Sequence, residues 1–376
     1  MKIELITRHA VANYGSLLQS YASQKSLENL GYDVEILNYI PIEEKGKNIA
    51  KSLCKNSKFW NKNILTRLIY RILQTPTYWI SFNSFKKMRK KLLKESLNEY
   101  NDFNALKEKY PIADIYCAGS DQIWGKMNIS TENKSVYFLN FIKDKNINKY
   151  SFSSSFGTDK IELSTEKIKM LKEFNTILVR EEIGKEYLKE KGFENVEKIL
   201  DPTLLLDYKE WIESFNLEKK DAKKDYILVY QLHSSKEFNH YLKKLSKQKK
   251  MSVIRVSPLL HSLFRYGKLV YLPKLNVFLE LILNAKYIVT DSFHGTVFSL
   301  IFNKKFIDIL PNGTSNRITN LLKLVKQEKR VLKTYNDFSL IDEEIDYNEV
   351  NSILLEERKK SIQIVKNSFN KCSNNI

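Results

Sequence analysis

The fold is decided by one stretch in the second half of the chain, Tyr287-Ile-Val-Thr-Asp-Ser-Phe-His-Gly-Thr-Val-Phe-Ser-Leu-Ile-Phe302. Residues 287–290 form a short, β-prone apolar run between polar residues, which predicts a buried strand. Residues 291–296 are mostly polar and predict a turn. Residues 297–302 are largely apolar again and predict a helix packed on a sheet. In an open α/β sheet, this succession places a ligand site at the carboxyl end of the strand.

The turn of this stretch contains candidate site residues. A helix amino terminus offers unpaired N–H groups and a favourable field for an anion, so Ser292, Gly295 and Thr296 are candidate anion-binding residues. His294 lies where a general acid–base residue or a phosphate ligand would be placed. The alternative is that His294 only caps the helix or binds a loop carbonyl, because the pattern specifies where a site lies and not its chemistry.

The beginning of the chain shows a similar arrangement. Residues 3–7 predict a strand, Ser16 is the predicted N-cap of a helix that ends before Gly31, and residues 33–39 predict the next strand. The loop contains Asn13-Tyr14-Gly15, which is not the Gly-x-Gly-x-x-Gly dinucleotide fingerprint. We therefore expect these three residues to face a ligand at a helix amino terminus, and we do not expect NAD.

Another predicted strand, residues 112–117, leads into Ala118-Gly-Ser-Asp-Gln-Ile-Trp124. Its polar side chains Ser120, Asp121 and Gln122 are expected at the same edge of the sheet. Asp121 is a candidate to orient an acceptor hydroxyl or to act as a base. The alternative is that Asp121 is a helix N-cap.

Two arginines are candidate anion ligands. Arg180 directly follows the predicted strand 176–179, where a guanidinium can bind a carboxylate or phosphate with two hydrogen bonds. Arg317 begins a predicted amphipathic helix.

The alternation of strands and helices predicts two α/β domains, and 376 residues are enough for two hydrophobic cores. We predict an N-terminal domain over residues 1–216, a C-terminal domain over 217–345, and a helix over 346–376 that packs back on the N-terminal domain. The lysine-rich stretch 217–225 is the predicted linker. Four residues that follow predicted strands are expected to line one cleft: Gly15, Gly119, Arg180 and His294.

The chain is basic, with 62 Lys and Arg against 44 Asp and Glu and a formal charge of +18. This charge favours anionic partners, whereas a lysine bias on solvated faces is the alternative explanation. Residues 44–100 are basic and aromatic, most densely at 85–94. We interpret them as amphipathic helices that cover the sheet, with peripheral contact to an anionic membrane surface as the alternative. No nucleic-acid motif is present, and no nucleic-acid partner is expected.

Three scattered cysteines, Cys54, Cys117 and Cys372, favour neither a disulfide scaffold nor a zinc cluster. Residue 1 leads directly into a strand pattern without signal-peptide architecture, and no run of 18 apolar residues occurs. These features predict a cytoplasmic protein. The alternative is a cytoplasmic protein that also contacts the inner face of the cell membrane peripherally. Acidic residues near the turns are too sparse to predict a metal site.

Five segments resemble the polysaccharide pyruvyl transferase family, and they occur in the family's order. They are Asn13-Tyr-Gly-Ser-Leu-Leu-Gln-Ser-Tyr-Ala22, Ala118-Gly-Ser-Asp-Gln-Ile-Trp124, Val179-Arg-Glu-Glu182, Leu200-Asp-Pro-Thr-Leu-Leu205 and Asp291-Ser-Phe-His-Gly-Thr-Val-Phe-Ser-Leu-Ile-Phe-Asn-Lys-Lys-Phe306. Each segment is short, but the ordered set is fairly specific.

The resemblance implies two Rossmann-like domains that face each other across a cleft, as in GT-B glycosyltransferases. It also implies transfer of pyruvate from phosphoenolpyruvate to paired sugar hydroxyls, which forms a ketal on a bacterial surface polysaccharide or its lipid-linked precursor. On this analogy, His294 would protonate or hold the enol phosphate, and Arg180 and Arg317 would neutralise its charges. Phosphoenolpyruvate is then a substrate, and no cofactor is expected.

The sequence departs from the family pattern in two places. Characterised members resemble Ser-x-Arg-x-His at the central turn, and Ser292 stands in the place of that arginine; Lys304, Lys305 or Arg317 are candidates to replace it. A family histidine of the first domain is also replaced, by Phe156-Gly157. Two alternatives therefore remain: a glycosyltransferase-like enzyme that uses a nucleotide-activated or phosphorylated donor, and a non-catalytic glycan-binding relative.

Overall fold

The computed structural model describes residues 1–55, 57–144, 146–220, 225–310 and 316–370. These residues form two compact units. Unit 1 contains Met1–Leu205 and the chain from Arg358 onward, and unit 2 contains Leu206–Glu357.

The division lies before the predicted boundary at residues 216 and 217. The helix Tyr208–Phe215 belongs to unit 2 because Trp211 is fully buried and packs edge-on against Phe298, with 4.9 Å between ring centroids. Residues 221–224 of the predicted linker lie outside the described residues.

The strands are short and mostly apolar, with bounds β1 Lys2–Ile6, β2 Asp33–Ile36, β3 Ile115–Ala118, β4 Asn148–Ser151, β5 Ile177–Val179, β6 Val196–Lys198, β7 Tyr226–Tyr230, β8 Ser252–Ser257, β9 Lys268–Tyr271, β10 Tyr287–Thr290 and β11 Lys305–Asp308. The helices are α1 Tyr14–Glu28, α2 Gly46–Lys55, α3 Ile64–Leu92, α4 Phe103–Glu108, α5 Thr131–Ser135, α6 Thr165–Leu171, α7 Glu182–Glu190, α8 Pro202–Leu205, α9 Tyr208–Phe215, α10 Lys236–Lys249, α11 Leu275–Leu283, α12 Phe293–Ile301, α13 Asn316–Leu324 and α14 Tyr347–Asn370.

Unit 1 contains a parallel sheet in the order β2-β1-β3-β4. The strands β5 and β6 form a parallel pair, and isolated bridges from Tyr150 to Thr176 and from Ser154 to Val179 connect this pair to the β4 side. The strand order reverses between β1 and β3. The carboxyl ends of these two strands therefore form the crevice in which open α/β sheets bind ligands.

Unit 2 contains a five-stranded parallel sheet in the order β11-β10-β7-β8-β9. Here the order reverses between β7 and β10. The central strand predicted from the sequence, Tyr287–Thr290, is confirmed, and its carboxyl end lies at this reversal.

The helix after β10 packs unusually closely on the sheet. A Cβ atom added to Gly295 would lie 2.2 Å from Thr290 Oγ1, so only glycine fits there. All nine residues of α12 are buried. The helix begins at Phe293 and not near Val297 as predicted, because Ser292 caps it and its oxygen accepts a hydrogen bond from Gly295 N.

In unit 1, the last helix packs on the sheet through an aromatic contact. Phe369 of α14 stacks on Tyr150 of β4, with 4.6 Å between centroids. Cys117 of β3 is fully buried, as predicted for a small core residue.

The basic segment is helical, as predicted, and forms α2 and α3, which pack against each other. Within the described residues, no helix is both long enough and apolar enough to cross a membrane.

Candidate active site

The first turn of α1 lies at the strand reversal of unit 1. Asn13 is its N-cap, and its side-chain oxygen accepts a hydrogen bond from Ser16 N at 3.2 Å. The prediction that Ser16 is the cap is therefore wrong. Tyr14 is fully buried, with its ring 4.9 Å from that of Phe85, and Gly15 is buried beside it. Tyr14 thus contributes to packing.

Asp121 connects β3 to this turn. Its Oδ2 accepts a hydrogen bond of 2.7 Å from Ser16 Oγ, and its Oδ1 accepts one of 2.8 Å from Gln122 N. Ser120 is fully buried, and its carbonyl accepts a hydrogen bond from Thr7 Oγ1. The predicted residues Ser120, Asp121 and Gln122 are therefore grouped at the carboxyl edge, and Asp121 holds Ser16 without capping a helix of its own.

The turn after β3 combines a residue in the left-handed conformation with a glycine that close packing requires. Asp121 has the left-handed conformation, with φ of 73°. Gly119 is needed for space, because a Cβ there would lie 3.0 Å from Leu5 Cδ1 and 3.1 Å from Ile6 O. A left-handed aspartate is uncommon, and such conformations concentrate at functional sites.

Arg8 also belongs to this edge and was not predicted as a site residue. Its Nη2 forms a 2.5 Å ion pair with Glu44 Oε1. Burial opposes the charge of Arg8, but the carboxylates of Glu44 and Asp121 outweigh burial and raise its pKa. Its position directly after a strand, like that of Arg180, is the signal that could have identified it.

Arg180 is already bonded to carboxylates. It is 7% exposed, its Nη1 donates to Asp201 Oδ2 at 2.6 Å, and its Nε donates to Glu181 Oε1 at 3.0 Å. Burial disfavours its charge, but Glu181 and Asp201 outweigh burial and raise its pKa. These contacts give Arg180 a structural role, whether or not it also binds a ligand.

In unit 2, His294 lies in the first turn of α12, at the strand reversal. It is 7% exposed, and its ring is 5.3 Å from that of Phe293 in an edge-on arrangement. Ser292 fills the N-cap position in place of the arginine in the family pattern. In this chain Ser292 therefore has a structural role, because it caps helix α12.

Thr296 connects this turn to a buried acid that was not predicted as a site residue. Its hydroxyl donates to Asp308 Oδ1 at 2.7 Å. Asp308 is fully buried at the end of β11, and burial raises its pKa well above the usual range. Burial therefore favours the uncharged form of the Asp308 carboxyl.

A second histidine lies at the same reversal. Asp291, directly after β10, accepts hydrogen bonds from the backbone N–H groups of Leu232 and His233 at 2.6 and 2.8 Å, and so joins the ends of β10 and β7. The Nδ1 of His233 is 3.3 Å from Asp291 Oδ2. His233 is exposed and oriented by a buried carboxylate, an arrangement suited to proton transfer.

Three basic residues were suggested to replace the arginine of the family pattern. Of these three, Arg317 contacts this turn. Its guanidinium carbon is 5.6 Å from the centre of the Phe293 ring. Lys304 and Lys305 lie at the opposite, amino-terminal end of β11. Lys304 Nζ donates to Leu283 O, and Lys305 pairs with Glu344. The suggestion that these lysines replace the arginine is therefore not supported.

Arg255 adds a buried positive charge to unit 2. It lies in β8 and is 1% exposed, and each of its three guanidinium nitrogens donates a hydrogen bond to a neutral oxygen: Tyr266 O, Gln231 Oε1 or Asn239 Oδ1. Burial, together with the nearby Arg265, lowers its pKa to about 10. An arginine inside an otherwise apolar strand is the sequence signal for this residue.

Arg265 is partly buried and follows the turn after β8. Burial lowers its pKa, whereas the charge of Asp291 acts in the opposite direction, which places Arg265 within electrostatic range of the reversal. Its Nη2 is 3.5 Å from His261 Nε2. The carboxyl edge of the unit 2 sheet thus combines histidines with arginines, a composition suited to a phosphate or carboxylate ligand.

Within the described part of the chain, no group of three or more His, Cys, Asp or Glu residues could hold a metal ion. The expectation that the residues of unit 1 and His294 line one cleft stays a prediction.

The chain is similar in fold to solved structures, two of which follow. UDP-GlcNAc 2-epimerase from Methanocaldococcus jannaschii is 13% identical, with a TM-score of 0.52 over 95% of this chain and 94% of that one. The co-structure of S. aureus MnaA with UDP is 11% identical, with a TM-score of 0.53 over 98% and 97% of the two chains. These similarities confirm the predicted GT-B type of fold.

No curated protein matches the sequence significantly. A family model described as polysaccharide pyruvyl transferase matches residues 13–313, which is most of the chain. This range includes the first turn of α1, the Asp121 turn, Arg180 and the His294 turn. The chain therefore belongs to the polysaccharide pyruvyl transferase family and is a transferase.

Proposed function

We propose that this enzyme transfers pyruvate from phosphoenolpyruvate to two hydroxyls of a sugar in a bacterial surface polysaccharide or its lipid-linked precursor. The reaction forms two C–O bonds at C2 of the enol phosphate, breaks the bond from C2 to the phosphate oxygen, and adds one proton to C3. The two hydroxyl protons account for the new C–H bond and for the proton taken up by the departing phosphate. Family membership and the Arg317 guanidinium beside the turn after β10 support this proposal.

Donor recognition is assigned to unit 2. The observation that carries this assignment is that Arg317 lies over Phe293, next to His294 in the first turn of a buried helix. The amino terminus of α12 favours an anion, and an arginine fork can bind a phosphate or carboxylate. Arg265 supplies a further positive charge near Asp291. A donor that carries both a phosphate and a carboxylate has two anionic groups, so a site with several cationic groups suits it better than a site with a single cationic group.

Proton delivery to C3 is assigned to His294, with His233 as the competing residue. Histidine can both donate and accept a proton near neutral pH. His294 lies on the helix that would hold the donor, whereas His233 is oriented by Asp291 at 3.3 Å. For the acceptor, Asp121 of unit 1 is the proposed base or orienting residue, because its carboxylate lies at a strand reversal.

The second candidate is a transferase that uses a nucleotide-activated donor. Ser292 in place of the family's arginine favours it, and the solved MnaA structure is a complex with UDP. At 11% identity, that similarity concerns the fold alone.

A thermal-shift experiment separates the two donors, because a ligand that binds only the native state raises the melting temperature. Phosphoenolpyruvate is expected to stabilise the wild type and not Arg317→Ala. Release of inorganic phosphate from phosphoenolpyruvate is then measured with and without a bacterial glycan extract, and it should require the extract. Stabilisation by UDP or UDP-sugars without any effect of phosphoenolpyruvate would favour the second candidate.

A further inference from the structure

Helix α3 exposes an unusual amount of apolar surface. Eight large apolar side chains are between 39% and 79% exposed: Ile64, Leu65, Leu68, Ile69, Ile72, Leu73, Trp79 and Ile80. At 100° per residue, all eight fall within one half of the helix circumference. The buried positions Thr77, Ser81, Phe85 and Arg89 of α3 lie on the remaining side, and the buried Phe82 lies at its border. The helix therefore packs on unit 1 with one side and presents an apolar face with the other.

The same exposed face becomes basic towards the end of the helix. Lys87, Lys90 and Lys91 are exposed and continue the helical positions of the apolar face. A shallow depression there is bordered by Trp79, Ile80 and the lysines Lys86, Lys87 and Lys90. Apolar and aromatic side chains thus lie directly beside a cluster of ammonium groups.

The surrounding segment carries charge of a single sign. Residues 45–94 contain fourteen Lys and Arg and no Asp or Glu. A second copy of this chain would bring an equally positive face to the apolar surface, and like charges would oppose such pairing. An anionic bilayer, in contrast, offers acyl chains for the apolar side chains and negative headgroups for the lysines.

We propose that the exposed face of α3 binds the surface of an anionic lipid bilayer, with the helix lying in the plane of the membrane. At about 1.5 Å per residue, its 29 residues extend roughly 43 Å along the surface. Trp79 lies between the apolar and the basic part, and tryptophan is enriched at the level of the lipid headgroups. The proposal does not depend on the donor or on the reaction.

Vesicle sedimentation tests the proposal with the full-length protein and no substrate. Vesicles of phosphatidylcholine alone are compared with vesicles that also contain phosphatidylglycerol. The wild type should bind the anionic vesicles and lose binding as salt is raised. The double variant Leu68→Glu/Ile72→Glu should bind at least about tenfold more weakly, because two apolar contacts are lost and two negative charges are added.

Two further variants make the test specific. Ile112→Glu is the matched control, because Ile112 is 88% exposed and lies outside α3; it should bind like the wild type. Lys87→Gln/Lys90→Gln/Lys91→Gln should lose the preference for anionic vesicles. Circular dichroism and melting temperature verify that each variant is folded, and the substituted side chains are all exposed.

Three outcomes would overturn the proposal. The first is no binding of the wild type to anionic vesicles. The second is equal binding of Leu68→Glu/Ile72→Glu and Ile112→Glu. The third is a dimer in size-exclusion chromatography that the α3 substitutions dissociate, which would show that a second copy covers this face.

Discussion

Arg180 and Asp201 form a buried ion pair in which Arg180 Nη1 donates a 2.6 Å hydrogen bond to Asp201 Oδ2. Removing one partner leaves an uncompensated buried charge, which typically costs about 3–5 kcal/mol. We expect Arg180→Met to lower the free energy of unfolding by about this amount in urea denaturation. Lys185→Met is the control, because its pair with Glu197 is partly exposed and should contribute less than about 1 kcal/mol. Full stability of Arg180→Met with lost donor affinity would instead make Arg180 a donor ligand.

Arg317 is expected to bind the donor without being needed for the fold. Arg317→Ala should weaken binding of phosphoenolpyruvate by roughly 1.5–3 kcal/mol, the cost of a lost hydrogen bond to a charged group. Isothermal titration calorimetry measures this difference. Lys323→Ala removes the same charge from an exposed position of the same helix and should leave the affinity unchanged. Unchanged affinity in Arg317→Ala would remove Arg317 from the donor site.

The two histidines of unit 2 can be separated by kinetics. A positioned acid–base residue typically contributes about 10²–10⁴ in rate, so His294→Gln should lower kcat by that factor with a nearly unchanged KM for the donor. A raised KM with kcat within a fewfold of the wild type would make His294 a binding residue. A larger loss of kcat in His233→Gln would transfer the acid–base role to the His233–Asp291 pair. His240→Gln, at an exposed position of α10, is the control.

We expect the reaction to be independent of metal ions, because arginines and a helix amino terminus can stabilise the phosphate charge. Activity should therefore be unchanged after treatment with EDTA and gel filtration. Loss of activity that returns on adding Mg²⁺ or Mn²⁺ would contradict this expectation.

Glu4 makes the stability of unit 1 depend on pH. Burial, reinforced by Glu35, raises the pKa of the Glu4 carboxyl from 4.5 to about 8. Between these values the folded state binds more protons than the unfolded state, so the free energy of unfolding falls as pH rises. Glu4→Gln removes this loss and should be more stable than the wild type by on the order of 5 kcal/mol at pH 9, with little gain at pH 4.

The neighbouring Glu35 provides the control for this experiment. Burial acts to raise its pKa, but the hydrogen bonds with Lys2 and Glu4, together with the charges of Lys2 and Lys94, outweigh burial and lower it. Glu35→Gln should therefore bring a smaller gain in stability at pH 9 than Glu4→Gln, because it removes only the contribution of Glu35 to the raised pKa of Glu4. Thermal denaturation across this pH range measures both variants, and an equal gain for both would contradict the assignment to Glu4.

Much of the fold could be predicted because its signals are local. The apolar run at 287–290 and the polar turn after it correspond to β10 and the start of α12. The edge strand β9, Lys268–Tyr271, was missed because none of its side chains is buried and its pattern is weak. The domain boundary was placed too late because the attachment of α9 to unit 2 depends on Trp211 meeting Phe298, 87 positions further along the chain.

The sequence by itself determined which polar residues follow which strands, because strand, turn and helix propensities act over a few residues. It therefore located Asp121, Arg180 and His294 at strand ends. Only the tertiary structure decided how these groups are engaged. Asp121 meets Ser16, and Asp291 meets the His233 loop, across separations of 105 and 58 residues. Such contacts depend on the order of the strands in the sheet, which no local pattern encodes.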